Sequence, residues 1–350
     1  MDRKTVLLFA ISIAILVIML YFVGIDNVVS ALKDADKGLI LLAVIIQFIT
    51  FVLYTYRWQL ISGRVDINVS LKKLLPMTLL GLAINNITPS GRGGGEPVRG
   101  YVLSKETNTH VEDAFATVVA DRALDTFPFI VLAAITVIGV TFYIELELWI
   151  VIVMILAVFA IIALLIMIIY MSINHEFGLR VNGWILKLVR RFYKKNTPEL
   201  EEKITSAVLG FQDTMSTLLH DRKILGIALP LSLVIWFVEI LRVYLVFLAF
   251  GVSVSPITIA EVFILAILVG MIPLLPGGIG AVDGIMIIFY SAAGISPSVA
   301  AAATVVERLI SFWLPTILGM LTLPYYGSSI LSKVSLSSSK DKSIEEVEEE

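Results

Sequence analysis

Long apolar runs constrain this chain more than any other feature. Three of them, Val6–Val23, Leu39–Leu53 and Leu148–Met171, approach or exceed the length that crosses a hydrocarbon layer of roughly 30 Å. Of the 350 residues, 58% are hydrophobic and only 16% are charged, and the mean hydropathy is +0.94. A soluble domain carries about 25% charged residues. The sequence therefore predicts an all-α polytopic protein of the cell membrane.

The first run and the scarcity of metal-binding residues limit the alternatives. The run ends at Val23–Asp26 without a small-residue cleavage site, so we expect an uncleaved first span rather than a signal peptide. Cysteine is absent from the sequence, and the three histidines lie far apart without metal-ligand spacing. We expect neither a cofactor nor a metal.

Basic residues predict the orientation of the spans. Arg3 and Lys4, the group at Arg57, Arg64, Lys72 and Lys73, and the polar stretch 174–223 should be cytoplasmic, as should both termini. The short loops Gly24–Lys37 and Glu145–Glu147 should face outward. About six full transmembrane helices result, of which the last five are Leu39–Arg57, Val111–Tyr143, Leu148–Met171, Gly226–Phe250 and Ser298–Tyr325.

Two pairs of shorter apolar segments do not fit this alternation as full spans. Leu74–Ile87 and Glu96–Ser104 flank a glycine run, and Ala260–Leu274 and Val282–Ala293 flank Leu275-P-G-G-I-G-A281. Segments of this length cross a bilayer poorly. We expect two re-entrant helical hairpins, the first entering from the cytoplasm and the second from outside.

The two halves resemble each other at an offset of about 185–187 residues. Phe51–Arg57 matches Phe237–Arg242, Ser90–Arg92 matches Pro276–Gly278, Glu96 matches Asp283, and Ala116–Arg122 matches Ala303–Arg308. Opposed topology with broken helices predicts an inverted repeat of the kind found in secondary transporters. We expect an integral membrane domain over 1–327, with repeats at about 38–143 and 226–325.

Two segments lie outside the repeats. The linker 174–223 holds an amphipathic helix in which Val181, Trp184, Ile185, Leu188 and Phe192 recur at helical spacing opposite a basic face, so we expect it on the cytoplasmic leaflet. The Ser/Lys/Glu-rich residues 328–350 should form a disordered cytoplasmic tail.

Charged residues inside the predicted spans identify a candidate site. Asp121, Arg122, Asp125, Glu239, Arg242, Glu307 and Arg308 would each cost at least about 2.5–3.5 kcal/mol if they faced lipid at the centre of the bilayer. They must face each other or a polar cavity, and Arg122 with Asp125, like Glu239 with Arg242, has the i, i+3 spacing of a helical pair. Internal salt bridges and a site for a charged substrate or a proton both remain open.

The glycine turns favour an anion site. An unwound tip leaves backbone N–H groups free at the N-terminus of the returning helix, where a phosphate or carboxylate binds well, and arginines strengthen such a site. Neither the Gly-Lys-Ser/Thr of a Walker loop nor a preceding strand is present. The remaining candidate binding residues are Gly91, Arg92, Gly93, Gly94, Gly95, Glu96, Arg99, Gly277, Gly278, Gly280 and Asp283.

The same motifs carry a family resemblance. Pro89–Glu96 with Arg99, Val119–Asp125 and Leu275–Ala281 resemble the lysylphosphatidylglycerol synthase transmembrane-region family, a flippase-like family that includes stand-alone archaeal membrane proteins. The resemblance covers about residues 5–325 and implies that a lipid is moved between leaflets. The sequence holds no segment large enough for the soluble aminoacyl-transferase domain of the synthases, so lipid synthesis is not implied.

We therefore expect a flippase or transporter-like protein that moves a phospholipid or a lipid-linked headgroup, and not an enzyme. Arg92, Arg99 and the Gly91–Gly95 backbone would hold an anionic headgroup, while the membrane carboxylates accept an amine or carry protons. An intramembrane lipid-modifying transferase with Glu96 or Asp121 as base, and a non-catalytic partner of a lipid-synthesis enzyme, are the alternatives. Membrane lipids are the expected partners, nucleic acid is not, and a homo-oligomer stays open.

Overall fold

The computed structural model describes residues 25–88, 93–143, 148–192, 198–271 and 276–326, and this part of the chain is all helical. It contains twelve α-helices, with short 3-10 and π-helical turns between some of them. Five helices are long and apolar enough to cross a membrane: Lys37–Val65, Val111–Gly139, Met154–Ile173, Ile224–Ala249 and Pro297–Tyr326. The predicted first span and the predicted tail lie outside the described residues.

The helices of the first half begin with α1 (Ile25–Asp34), which occupies a segment predicted to be an outward loop. The prediction of a loop was wrong, because the polar residues of this segment lie on one side of an amphipathic helix, while its outward orientation stays a prediction. There follow α2 (Lys37–Ser62), α3 (Leu71–Ile87), α4 (Gly95–Thr107), α5 (Val111–Tyr143) and α6 (Leu148–Ile173). The last four correspond closely to the predicted segments.

The second half also contains both long and short helices. It contains α9 (Leu229–Ala249, preceded by a π turn), α10 (Pro256–Gly270), α11 (Ala281–Ala292) and α12 (Pro297–Arg308), which continues through a π turn to Tyr326. Between the halves lie α7 (His175–Phe192) and α8 (Pro198–His220).

Packing between α2 and α9 forms the centre of the molecule. The largest cluster of buried apolar residues joins these two helices to α10, α11 and α12, with Ala43, Val243, Phe247 and Tyr290 among its members. A second cluster around Trp58, Leu74 and Leu103 joins α2 to α3, α4 and α5. Each short pair, α3 with α4 and α10 with α11, therefore packs against α2 or α9 through buried apolar side chains.

The linker differs from the single helix predicted. Helices α7 and α8 pack on each other, and α8 also packs on α5 and α6. The predicted apolar face of α7 remains open: Trp184 is 75% and Leu188 is 60% exposed. Its contact with the cytoplasmic leaflet stays a prediction.

Glycines allow α3 and α4 to approach closely. A methyl group added at Gly95 would overlap the backbone of Gly81, and one added at Gly81 would overlap the side chain of Arg99. Arg99 is thereby held at its position beside α3.

Replacing Gly95 with alanine should force α3 and α4 apart. We expect a lower apparent melting temperature in detergent, corresponding to the about 1–3 kcal/mol that overpacking costs. Gly183→Ala in α7 is the control, since nothing lies within 4 Å of the added methyl group. An unchanged melting temperature for Gly95→Ala would show that this close approach does not limit packing.

Candidate functional site

A first charged cluster forms where α2, α4 and α5 meet. The Arg57 guanidinium on α2 donates from Nε to Asp121 Oδ1 at 2.7 Å and from Nη1 to Asp125 Oδ1 at 2.8 Å. It also donates to Ser232 Oγ on α9 at 2.9 Å. The second oxygen of Asp121 accepts from Arg99 Nη2 at 3.1 Å, and Arg99 stacks over Trp58. Asp121 is therefore neutralised from two sides.

Glu96, in the first turn of α4, joins this cluster to the end of α3. Its Oε1 accepts from Asn85 Nδ2 at 3.1 Å and from Arg122 Nε at 2.5 Å. The side-chain oxygen Asn85 Oδ1 in turn accepts from the Gly95 backbone N–H at 2.6 Å at the start of α4. Arg122 also lies 3.8 Å from Asp125, as the i, i+3 spacing predicts.

A second charged cluster forms among α9, α11 and α12. Arg242 donates to Glu239 at 2.7 Å, to Glu307 at 2.9 Å and to Gln47 on α2. The pair of Glu239 and Arg242 on one helical face was predicted from its spacing. Arg308 donates to Asp283 at 3.2 Å and to the Gly277 carbonyl at 3.1 Å.

The second glycine turn supports Arg308 through its backbone. Gly277, Gly278 and Gly280 have φ values of 57°, 66° and 82°, which residues with a side chain rarely adopt. The Gly280 N–H donates to Asp283 Oδ2 at 2.7 Å, so the same carboxylate caps α11 and binds Arg308. This turn therefore serves the ion pair as well as the reversal of the chain.

The two clusters enclose one cavity of about 550 Å³. Its charged wall residues number five arginines and five carboxylates: Arg57, Arg99, Arg122, Arg242 and Arg308, with Glu96, Asp121, Asp125, Glu239 and Glu307. Apolar side chains of α6, including Leu164 and Ile168, and of α9 and α10 complete the wall. An ionic site thus lies among helices that are otherwise apolar.

Most predicted site residues meet in this cavity. Gly93 lines it along with nine of the ten charged residues predicted in α4, α5, α9, α11 and α12. The tenth, Asp283, and the Gly277 carbonyl bind Arg308, and Gly278 and Gly280 belong to the same turn as Gly277. Gly94 and Gly95 form the N-terminus of α4. Gly91 and Arg92 lie outside the described residues.

Arg57 was misjudged from the sequence. It was assigned to the basic residues that follow a span, but it is 1% exposed and binds two carboxylates. Its match with Arg242 across the two halves was the signal for a buried role. Gln47, Ser232 and Asn85 were not predicted, because uncharged polar residues in apolar runs carry little information by themselves.

Comparison with known proteins identifies the family of this chain. Residues 6–319 match the family described as the lysylphosphatidylglycerol synthase TM region. The chain belongs to this family. A UPF0104 membrane protein of Methanothermobacter thermautotrophicus is 50% identical over 95% of this chain and 99% of its own length. The predicted resemblance is confirmed, and the chain is a multi-pass membrane protein.

Two further relatives differ in how much of their own length the match covers. A UPF0104 membrane protein of Methanocaldococcus jannaschii is 35% identical over 92% of this chain and 94% of its own length. The glycosyltransferase AglD of Haloferax volcanii is 23% identical over 96% of this chain, but the match covers 55% of that protein.

Removing Arg57 should leave buried carboxylates without compensation. We expect Arg57→Gln to destabilise the detergent-solubilised protein by about 3–5 kcal/mol, the usual cost of breaking a buried ion pair. Adding Asp125→Asn should recover part of the loss, because it removes one of the stranded charges.

Arg190→Gln provides the matched control for this thermal unfolding series. Arg190 pairs with Glu201 at the exposed surface of α7 and α8, so its loss should leave the melting temperature unchanged. Equal effects of the two arginine substitutions would contradict the structural role assigned to Arg57.

Proposed function

We propose that this protein moves a phospholipid or lipid-linked molecule between membrane leaflets, with the headgroup held in the charged cavity. The observation that carries the proposal is the cavity itself: about 550 Å³ walled by ten charged side chains among apolar helices. Charged groups within membrane helices are costly and commonly mark a substrate or ion pathway. A lipid headgroup is a polar ligand that already resides in the membrane.

Exposure within the cavity suggests which side chains meet a headgroup. The Arg122 side chain is 37% exposed, whereas those of Arg57, Arg99, Arg242 and Arg308 are at most 8% exposed. Arg122 is therefore the arginine best placed to donate to a phosphate, and guanidinium groups bind phosphate through two parallel hydrogen bonds. Asp125 and Glu239, each 12% exposed, are the carboxylates best placed to accept an ammonium group.

Helix α6 supports a place for the acyl chains. Leu164 lines the cavity and is 53% exposed. A lipid whose headgroup enters beside this helix keeps its acyl chains against apolar side chains. The hydrophobic cost of moving those chains into water is thereby avoided.

We infer that α3 with α4, and α10 with α11, are re-entrant hairpins of an inverted repeat. Their 17, 13, 15 and 12 residues are fewer than the about 20 that span a bilayer. The ion pairs correspond in the two halves: Arg57–Asp121 with Arg242–Glu307, and Glu96–Arg122 with Asp283–Arg308. Repeats with broken helices at the centre are typical of transporters.

Single cysteines test this topology, because the natural chain has no cysteine background. We expect Lys72→Cys at the start of α3 to react with a membrane-impermeant maleimide from the cytoplasmic side and Ile257→Cys at the start of α10 from the outer side. Both residues are exposed and lie outside the cavity wall. Labelling of both positions from one side would contradict opposed hairpins.

The intramembrane transferase is less well supported by the same contacts. A general base needs a free lone pair and a pKa near the operating pH. Asp121 is bound through both oxygens by Arg57 and Arg99. Glu96 Oε1 is bound by Asn85 and Arg122, while its Oε2 has no partner in the described part of the chain. Carboxylates held in this way by arginines are weak bases.

A membrane partner of a lipid-synthesis enzyme is the second candidate function. The relative named glycosyltransferase AglD contains a region similar to nearly all of this chain, together with a further part of its own. In such an arrangement this chain would serve an attached or associated enzyme. The fold around the cavity would then be needed, but this chain alone would not move lipid.

Reconstitution tests the leading proposal. Purified protein in vesicles made from the lipid extract of its source organism should accelerate the exchange of a fluorescent phospholipid between leaflets. Arg122→Gln should slow exchange about tenfold or more, because one charge-assisted hydrogen bond contributes about 1.5–3 kcal/mol. Arg190→Gln should exchange lipid at the rate of the unmodified protein.

Two results would count against lipid movement. Unaccelerated exchange of every lipid class in that extract would contradict the proposal. Normal exchange by Arg122→Gln would remove the cavity from the mechanism.

A further inference from the structure

The ionic network holds one carboxylate more than it holds arginines. Among the described residues it contains Arg57, Arg99, Arg122, Arg242 and Arg308 against Glu96, Asp121, Asp125, Glu239, Asp283 and Glu307. The first cluster balances three arginines with three carboxylates. The excess negative charge therefore belongs to the second cluster.

Within the second cluster the excess lies at Arg242. Arg308 is bound by Asp283, while Arg242 alone is shared by Glu239 at 2.7 Å and Glu307 at 2.9 Å. Both carboxylates lie deep inside the protein, with side-chain exposures of 12% and 3%. One guanidinium compensates one of them, and the other bears a charge that burial disfavours. A bound proton removes that charge without any change in packing.

Unpartnered polar groups around the pair give an independent indication of a missing ligand. Tyr290 is fully buried next to Glu307 and Arg242, and its hydroxyl has no hydrogen-bond partner in the described part of the chain. The same holds for the Thr304 hydroxyl, one turn before Glu307, and for Arg242 Nε. In the first cluster the matching Thr117 hydroxyl accepts from Trp58 Nε1 at 3.0 Å, although Glu96 Oε2 and Arg99 Nε there also have no partner among the described residues. Buried polar groups rarely remain unsatisfied.

Of the four helices that pack closely against α9, three present charged or titratable groups near Glu239. Helix α2 presents Tyr54 and Arg57, α5 presents Asp125, and α12 presents Glu307, whereas α10 contributes the uncharged Phe263 and Ala266 to this wall. Arg242 on α9 itself is the cation in contact with Glu239. Two carboxylates and one phenol thus surround Glu239, against one direct guanidinium partner.

We propose that Glu239 and Glu307 share one exchangeable proton, and that its binding and release are coupled to movement of the lipid. Glu239 exchanges the proton, because it is the more exposed of the two and lines the cavity. On release, the proton leaves the carboxyl oxygen for water in the cavity, and the Glu239 carboxylate becomes free to accept a positively charged part of a headgroup. This inference rests on the proposed function.

The coupling is tested in vesicles that contain a fluorescent phospholipid and a pH gradient. For one coupled proton, each unit of pH gradient should shift the distribution of the lipid between leaflets by up to about tenfold. The distribution with Glu239→Gln should not follow the gradient. Glu261→Gln is the matched control, since Glu261 lies on the neighbouring α10 outside the cavity wall and should leave the coupling intact.

A second measurement does not depend on transport. Infrared difference spectra of the purified protein should show the C=O stretch of a protonated carboxyl group that appears as pH is lowered. Glu239→Gln or Glu307→Gln should remove this band, whereas Glu261→Gln should retain it. Persistence of the band in both site variants would overturn the proton site.

The outcomes separate this inference from the proposed function. Lipid exchange by the unmodified protein that ignores the pH gradient, or that follows a sodium gradient instead, would overturn proton coupling and leave lipid movement standing. If the infrared band is present but no lipid is exchanged, the proposals of lipid movement and of its coupling to protons are both overturned. The proposal that Glu239 and Glu307 share a proton would still stand. A Glu239→Gln protein that still follows the pH gradient would assign coupling to another group.

Discussion

The cost of placing charge in hydrocarbon governs this structure. Each charged side chain at the centre of a bilayer costs about 2.5–3.5 kcal/mol or more when it faces lipid, so eleven such residues would exceed the stability of a typical domain. The chain meets this constraint mainly by pairing them across helices, with Arg122–Asp125 and Glu239–Arg242 as two further pairs within one helix. Arg57 reaches α5 and α9, and Arg242 reaches α2 and α12. The ion pairs therefore fix which helices are neighbours.

Cross-contacts between the halves follow from the same constraint. Arg57 donates to Ser232, and Arg242 donates to Gln47. The two arginines stand 185 positions apart in the sequence, as do Gln47 and Ser232. A twofold relation between the halves would produce both contacts from one arrangement, in which each arginine binds the carboxylate of its own half and a neutral polar group of the other. Packing of α2 on α9 then places both clusters on one cavity.

Hydropathy and charge predicted the helices far better than the hydrogen bonds and ion pairs within the site. The helix Val111–Tyr143 was predicted to the residue, because an apolar run bounded by polar residues has few alternatives in a membrane. The segment Gly24–Lys37 was mistaken for a loop, since an amphipathic helix of ten residues contains no long apolar run. Arg57 was mistaken for a flanking cation, because orientation rules count arginines without knowing whether a helix continues past them. The roles of Gln47 and Ser232 become visible only in the structure, where Arg242 and Arg57 donate hydrogen bonds to them.

A network of purely structural salt bridges differs from a headgroup-binding site in which charged groups stay exposed or unpaired. A purely structural network gains most by burying every partner and by balancing its charges, since any remainder is costly. Here Asp121, Arg57 and Glu307 follow that pattern, but Arg122 remains 37% exposed to the cavity and Glu239 brings a charge without a counterion of its own. The structural pairs hold the helices in place, and the two exceptions face the same cavity with opposite charges. A ligand with a phosphate and a positive group, or a phosphate and an exchanged proton, satisfies both exceptions at once.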